Sequence, residues 1–258
     1  MPRRTLCFDT SARDFSAALL DGEGLIAASD SASLKGQGTG SRSLAPTIQR
    51  LLDQAGWKIG EIDRIVLPLG PGSFSGLRMG VVTAKVLGYS LGLPIFGVNT
   101  LAVIAFRAAQ QGAAKQGDEI VSFLDAQRGE LFAQRFSIDS NSLPQAREER
   151  RVIPCAELEA VYPQGLLTGS GLQLIARPAR RTPADEVSAE RLRALSPRFI
   201  PEQFWPCDAA SAGRLVERSG DKMKPTDHWS LVPDYGRPSA AEEKAIEREL
   251  EPSRAPAQ

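Results

Sequence analysis

The chain has 258 residues but a single histidine, His228, and only three cysteines, Cys7, Cys155 and Cys207, which lie far apart. One isolated histidine cannot build a His-based metal centre, and cysteines without CxxC spacing do not make a zinc site. An odd, dispersed set of cysteines also makes no disulfide framework; it fits a reducing compartment, so a cytoplasmic location is expected. His228 lies in a Pro-flanked segment and reads as a surface-loop residue. No charge of either sign is in excess: Lys plus Arg and Asp plus Glu each number 31. Nucleic-acid binding by one chain alone needs clustered cations to release phosphate counterions, so weak binding is expected. Arg147, Arg150, Arg151, Arg177, Arg180 and Arg181 are the one group that could form a local basic surface. No run of 18 apolar residues is present, which argues against a membrane-spanning helix. The basic start, MPRRTLCFDTS, has too short an apolar stretch for a secretory signal.

What is present is apolar material, 42% of the residues, enough for one large domain or two small ones. Thr5 to Phe8, Phe15 to Leu20 and Leu25 to Ser29 read as a three-strand meander with a turn at Asp21-Gly22-Glu23-Gly24. Residues 35 to 41, KGQGTGS, read as a loop. Leu44, Ile48, Leu51, Leu52 and Ala55 then fall on one face of a helix with Ser43 as its N-cap and Gly56 as its stop. A strand over Ile65 to Leu69 precedes the loop GPGSFSG, a helix of about Leu77 to Leu91, and a strand over Pro94 to Val98. A third helix, capped by Thr100, ends near Gln111. Ile120 to Leu124 and Glu130 to Ile138 read as an antiparallel pair, Leu166 to Thr168 as a short strand, and Asp208 to Arg218 as a capped helix. The tail reads as partly disordered beyond about residue 250. CFDTS and FLDAQRG both place an Asp at the end of a strand, which suggests two related halves meeting near residues 100 to 112. The expected division is 1–105, 106–238 and a charged tail, 239–258.

Strand, glycine loop, helix is the arrangement that offers backbone amides to a phosphate. Gly70, Gly72, Ser73, Gly76 and Arg78 are therefore candidate loop residues. A Walker loop would need Lys and then Ser or Thr after its last glycine, and Leu77 and Arg78 stand there. The spacing GxGxxxG also departs from the dinucleotide fingerprint, and no acid stands at the end of the next strand. A tight turn that needs glycine for its geometry, and an anion or partner contact, both remain open. In the helix after the loop, Gly76, Gly80, Ala84, Gly88 and Gly92 recur every four residues. Two interior glycines cost about 2 kcal/mol relative to alanine, and a row of small residues lets another backbone approach closely. Gly80, Ala84 and Gly88, with Leu44, Ile48 and Leu51 of the preceding helix, are expected at a subunit interface; an internal neighbour is the alternative.

The segments FDTSARDFSAALLD, SRSLAPTIQRLL and VLPLGPGSFSGLRMGVVTAKVLGYSLGLPIFGVNTLAVIA resemble the TsaB family. FLDAQRGELFAQRF, LTGSGL and PDYGRPSAAEEK are similar to its second half. The likeness is dense over residues 5 to 135 and sparse beyond. Relatives often carry Thr at Ser75, His near Arg42 and a bulky residue at Gly236. The resemblance implies an α/β, actin-like ATPase (hexokinase/Hsp70-type) fold of two RNase-H-like subdomains, with mixed sheets flanked by helices. It implies a non-catalytic subunit that pairs with a TsaD-like catalytic subunit, and with itself, through N-terminal helices. A TsaE-like ATPase joins that assembly, which forms threonylcarbamoyladenosine in tRNA. No cofactor is expected on this chain alone; ATP and a metal would enter through the partners. The fold's nucleotide pocket would use Asp9, Thr10 and Ser11, whose plainer reading is turn chemistry. The competing function is a sugar- or acetate-kinase-like phosphotransferase with Asp125 in its second phosphate loop, although Gln127 and Arg128 replace the small residues that loop requires. A protease-like activity finds no GxSxG elbow and no Ser/His/Asp set.

Overall fold

The computed structural model describes residues 2–12, 15–29, 44–176 and 194–237. Ser43, the 35–41 stretch, Arg177, Arg180, Arg181 and the tail lie outside them. Two five-stranded sheets form the frame. The first runs β3 (Gly24–Ala28), β2 (Ser16–Asp21), β1 (Arg4–Asp9), β4 (Arg64–Gly70), β5 (Ile95–Asn99). β1 to β3 form the expected antiparallel meander, and β4 and β5 join parallel to β1. The second sheet is built on β6 (Glu119–Gln127) and β7 (Glu130–Ile138), with β8 (Pro144–Ala146) and β9 (Arg151–Pro154) beyond β7 and β10 (Leu166–Thr168) parallel to β6. A parallel bridge from Leu167 to Phe199 stands where β5 stands in the first sheet. The strand order of the first half is thus repeated in the second, as the two strand-end aspartates suggested, and the fold is of the actin-like α/β type.

Period-two alternation decides what each face of the first sheet receives. Leu6, Phe8, Ala17 and Leu19 point to α1 (Leu44–Ala55) and α2 (Phe74–Leu91). Cys7, Ala18, Leu20 and Val66 point to α3 (Thr100–Gln110) and to a late helix. α3 is apolar almost all round and is buried accordingly. Val103 and Phe106 face the first sheet, while Leu101, Ile104, Ala105 and Ala108 face the second. Behind the second sheet, α4 (Leu158–Val161) and α5 (Gln173–Ala176) pack with Trp205. The late helix, α6 (Ala209–Ser219), is capped by Asp208, whose carboxylate accepts from the Ser211 amide, as expected.

Three expectations need correction. α2 starts at Phe74, not near Leu77, because the Ser73 hydroxyl accepts from the Gly76 amide and caps the helix there. Asn99, not Thr100, caps α3; its side-chain oxygen accepts from the amides of Leu101 and Ala102 at 2.8 and 3.3 Å. The division at 105/106 also fails. α3 serves both sheets, and α6 returns to the first, where buried Arg64 pairs with Glu217 and donates to the Thr5 hydroxyl at 2.8 Å. Residues 226–234 accompany it back: the Thr226 amide donates to Ile95 and the Asp234 amide to Leu69, each at 2.7 Å. Among the described residues no helix is long and apolar enough to cross a membrane.

A methyl group at Gly213 of α6 would overlap the Cys7 sulfur and Leu20 on the first sheet. Gly213→Ala is expected to lower stability by about 1 to 3 kcal/mol, the usual range for overpacking. Urea unfolding measures it, and an unchanged midpoint would show that α6 does not pack on that sheet.

Candidate functional site

β1 ends in Asp9, and the chain turns at once through Thr10 and Ser11. All three are buried. The Asp9 carboxylate accepts from the Ser11 amide at 2.8 Å, the Asx geometry a short acid gives at a strand end. Burial pushes its carboxyl above the usual Asp range. Ser11 and the Cys207 thiol offset part of that rise, and the charge of Asp208 adds to it. Burial, with the nearby Asp9 and Asp208 charges, pushes the Cys207 thiol well up in turn.

The start of α2 is pressed onto this turn. The Ser73 amide donates to the Ser11 carbonyl at 2.6 Å. A Cβ at Gly72 would overlap the Ser11 carbonyl oxygen, one at Gly76 the Thr10 carbonyl oxygen, and one at Gly80 the Thr10 hydroxyl. Gly70 has φ +134°, and a side chain there would strike the Asp234 backbone. The glycine loop and the first glycines of the helix therefore serve close approach to this chain's own backbone. Arg78 stands apart, exposed, its guanidinium 5.5 Å from the Phe74 ring centroid.

The small-residue row, expected at a subunit interface, is placed the same way. Gly80, Ala84 and Gly88 are buried in their own subunit. Ala84 belongs to the core shared with Ile65 and Leu67 of β4, and Gly88 lies against Ile95 of β5 and His228. Leu44, Ile48 and Leu51 are equally core residues. His228 is half-buried, its Nε2 2.9 Å from the Leu93 carbonyl oxygen, so it fastens a returning segment. Val82 and Val86, two residues on from Gly80 and Ala84 and so about 200° round the helix, and Tyr89, one turn further along the same side, are exposed to 59%, 58% and 72%. Phe74 lies at the head of that helix, half its surface open, and Trp229 meets Tyr89 edge to face at 6.2 Å and is itself 81% exposed. Sequence reasoning sees Val81, Val82, Val86 and Leu87 as an apolar run opposite the small-residue row, but it takes the row for the outward groove and leaves out Tyr89. The i, i+4, i+7 spacing of 82, 86 and 89 was the signal that could have found it.

The second half repeats the turn without the packing. Asp125 accepts from the Gln127 amide at 2.6 Å, as Asp9 does from Ser11. Gln127 and Arg128 have φ of +66° and +56°, and Asp125 is exposed, its second oxygen taken by the Gln127 side-chain amide at 3.1 Å. Gly169, Ser170 and Gly171 come after β10 as Gly70, Pro71 and Gly72 come at the end of β4. Among the described residues, no group of three His, Cys, Asp or Glu side chains is placed to hold a metal ion.

A folded-state carboxyl above its unfolded value near 4 binds a proton that the unfolded chain has lost. Between those two values stability therefore falls as pH rises, and it is flat above the folded value. Asp9→Asn is expected to remove that slope and to leave the protein at least as stable at neutral pH. Urea midpoints across pH 4 to 8 test this; a variant with an unchanged slope would place the titration elsewhere.

The sequence model for TsaD, tRNA N6-adenosine threonylcarbamoyltransferase, matches residues 39–179, more than half of the chain. The TsaB threonylcarbamoyladenosine biosynthesis protein of Bacillus subtilis is 27% identical over 206 residues, 78% of this chain and 81% of that one. Its Escherichia coli counterpart is 25% identical over 189 residues, 72% of this chain and 67% of that one. The solved structure of YeaZ from Pseudomonas aeruginosa superposes with a TM-score of 0.69 at 20% identity, covering 90% of this chain and 99% of that one. The family-model match over residues 39–179, which takes in the glycine loop and the Asp125 turn, shows that the chain belongs to the threonylcarbamoyltransferase-related family that the TsaD model describes, and the two relatives place it with TsaB.

Proposed function

We propose that this chain is a cytoplasmic, non-catalytic subunit of the machinery that forms threonylcarbamoyladenosine in tRNA. The observation that carries the reading is the apolar face of α2. Val82, Val86 and Tyr89, continued by Phe74 and Trp229, leave more apolar surface open in one region than scattered surface residues do. That face is the contact for a TsaD-like catalytic subunit and, in isolation, for a second copy of this chain. A TsaE-like ATPase joins the assembly, ATP and metal enter through the partners, and tRNA is bound by the complex as a whole. The names of the relatives support the pathway, and the occupied Asp9 turn supports the lack of catalysis here: α2 stands where a phosphate would approach.

The test is reconstitution. A TsaD-like subunit, a TsaE-like ATPase, threonylcarbamoyl-AMP and tRNA are combined with and without this chain. Modification is expected only with it, and full modification without it would refute the subunit role. ATP turnover by the isolated chain would instead favour the kinase-like alternative.

The interface is tested by two substitutions on one helix. Val86→Asp on the open face is expected to weaken pairing by at least about 2 kcal/mol, roughly thirtyfold, while leaving the fold intact. Ala84→Leu on the buried face is expected to lower stability by about 1 to 3 kcal/mol and to leave pairing unchanged. Sedimentation and thermal unfolding separate the two effects. The reverse pattern would restore the small-residue row as the interface.

A further inference from the structure

The short sequence Asp234-Tyr235-Gly236-Arg237 touches both halves of the molecule. On the side of the first sheet, the Asp234 amide donates to the Leu69 carbonyl at 2.7 Å, and the Asp234 carbonyl fills the space a side chain would need at Gly70. Tyr235 stacks on Phe74, the first residue of α2, with centroids 4.3 Å apart and planes at 26°. On the side of the second sheet, Asp234 takes a two-pronged ion pair from Arg150, which precedes β9. Arg237 pairs with Glu130 of β7 at 2.7 Å. The guanidinium groups of Arg150 and Arg237 both lie over the Phe132 ring, 5.9 and 5.8 Å from its centroid. Gly236 makes the double contact feasible. Its φ is +77°, and a Cβ there would come within 2.6 Å of Phe132 and 3.1 Å of Pro71, one residue from each half.

We propose that residues 234–237 are a clasp that fixes the angle between the two sheets. Other contacts between the two halves gather around α3, which packs on both sheets: Asn99 at its head donates to Gln134 of β7 at 2.9 Å, and Leu143 shares a core cluster with Phe106 of α3. Two lobes joined through one such region can rotate about it, which is how two-lobed proteins open and close around ligands. A second attachment at a separate place removes that freedom. Each bond of this clasp joins different elements: backbone to β4, a ring to α2, and charges to β7 and Arg150. The segment is thereby fastened to both lobes by contacts of different chemical kinds. The inference concerns the chain alone and does not depend on the proposed partners.

The test is a distance distribution between spin labels encoded at Gln54 of α1 and Gln173 of α5, both exposed, in the full chain. One narrow distribution is expected for the native sequence. In the double variant Glu130→Ala, Asp234→Ala, and in a chain ended at Pro233, the width is expected to grow at least about twofold as the lobes rotate on α3. Circular dichroism verifies that each variant is folded, so loss of one still leaves the other as a test. Broadening in either folded variant supports the clasp. A distribution that stays narrow in the folded variants, or is already broad in the native chain, overturns it.

Discussion

The rest of the first half depends on one contact, that of the Thr10–Ser11 backbone with the opening turns of α2. Three glycines, Gly72, Gly76 and Gly80, are spaced so that each meets an atom of that turn, where any side chain would collide. This fixes the rotation of α2 about its own axis. With the glycine side inward, Ala84 and Gly88 are carried inward onto β4 and β5, and Val82, Val86 and Tyr89 are forced outward. The apolar outer face is thus a geometric consequence of the inner one. The same contact seals Asp9 from water, which is why its carboxyl is driven upward despite accepting a backbone hydrogen bond.

The second half shows what the strand order gives without that contact. It repeats the strand, the Asx turn at Asp125 and the glycine loop at Gly169–Gly171. Ala126 is buried as Thr10 is, but Gln127 is exposed where Ser11 is packed. A duplicated frame has in this way packed a helix onto the turn in one half and left the second residue of the turn exposed in the other.

Much of the frame was legible because strands and caps obey local rules. The meander at residues 5 to 29, α1 with its apolar spacing, the β6–β7 pair and the Asp208 cap all derive from periodicity and short-range hydrogen bonding. The start of α2 was less so, because Gly76 resembles the end of a loop, while the decisive signal was the hydroxyl of Ser73 three residues earlier. The side of α2 that faces outward was not legible. A row of small residues permits close approach but does not say to what, and the turn it meets is more than sixty residues away in sequence. The return of residues 209–237 to the first sheet was hidden for the same reason: its fastenings, Arg64 with Glu217 and Thr226 with Ile95, are pairings between distant residues.

The packing at the turn also bears on chemistry. A phosphate at the start of a helix is held by backbone amides that have no partner within the helix. In α2 the Ser73 amide is given to the Ser11 carbonyl, the Gly76 amide to the Ser73 hydroxyl and the Leu77 amide to the Ser73 carbonyl. An anion taking the Ser73 or Gly76 amide would have to replace these bonds while approaching a buried carboxyl, Asp9, and a space already filled by Thr10. Backbone packing and phosphate binding compete for the same donors, and glycine spacing alone serves both. What separates them is the residue opposite each glycine. Here that residue is the chain's own Thr10 or Ser11, so the glycine spacing works as a joint between helix and sheet.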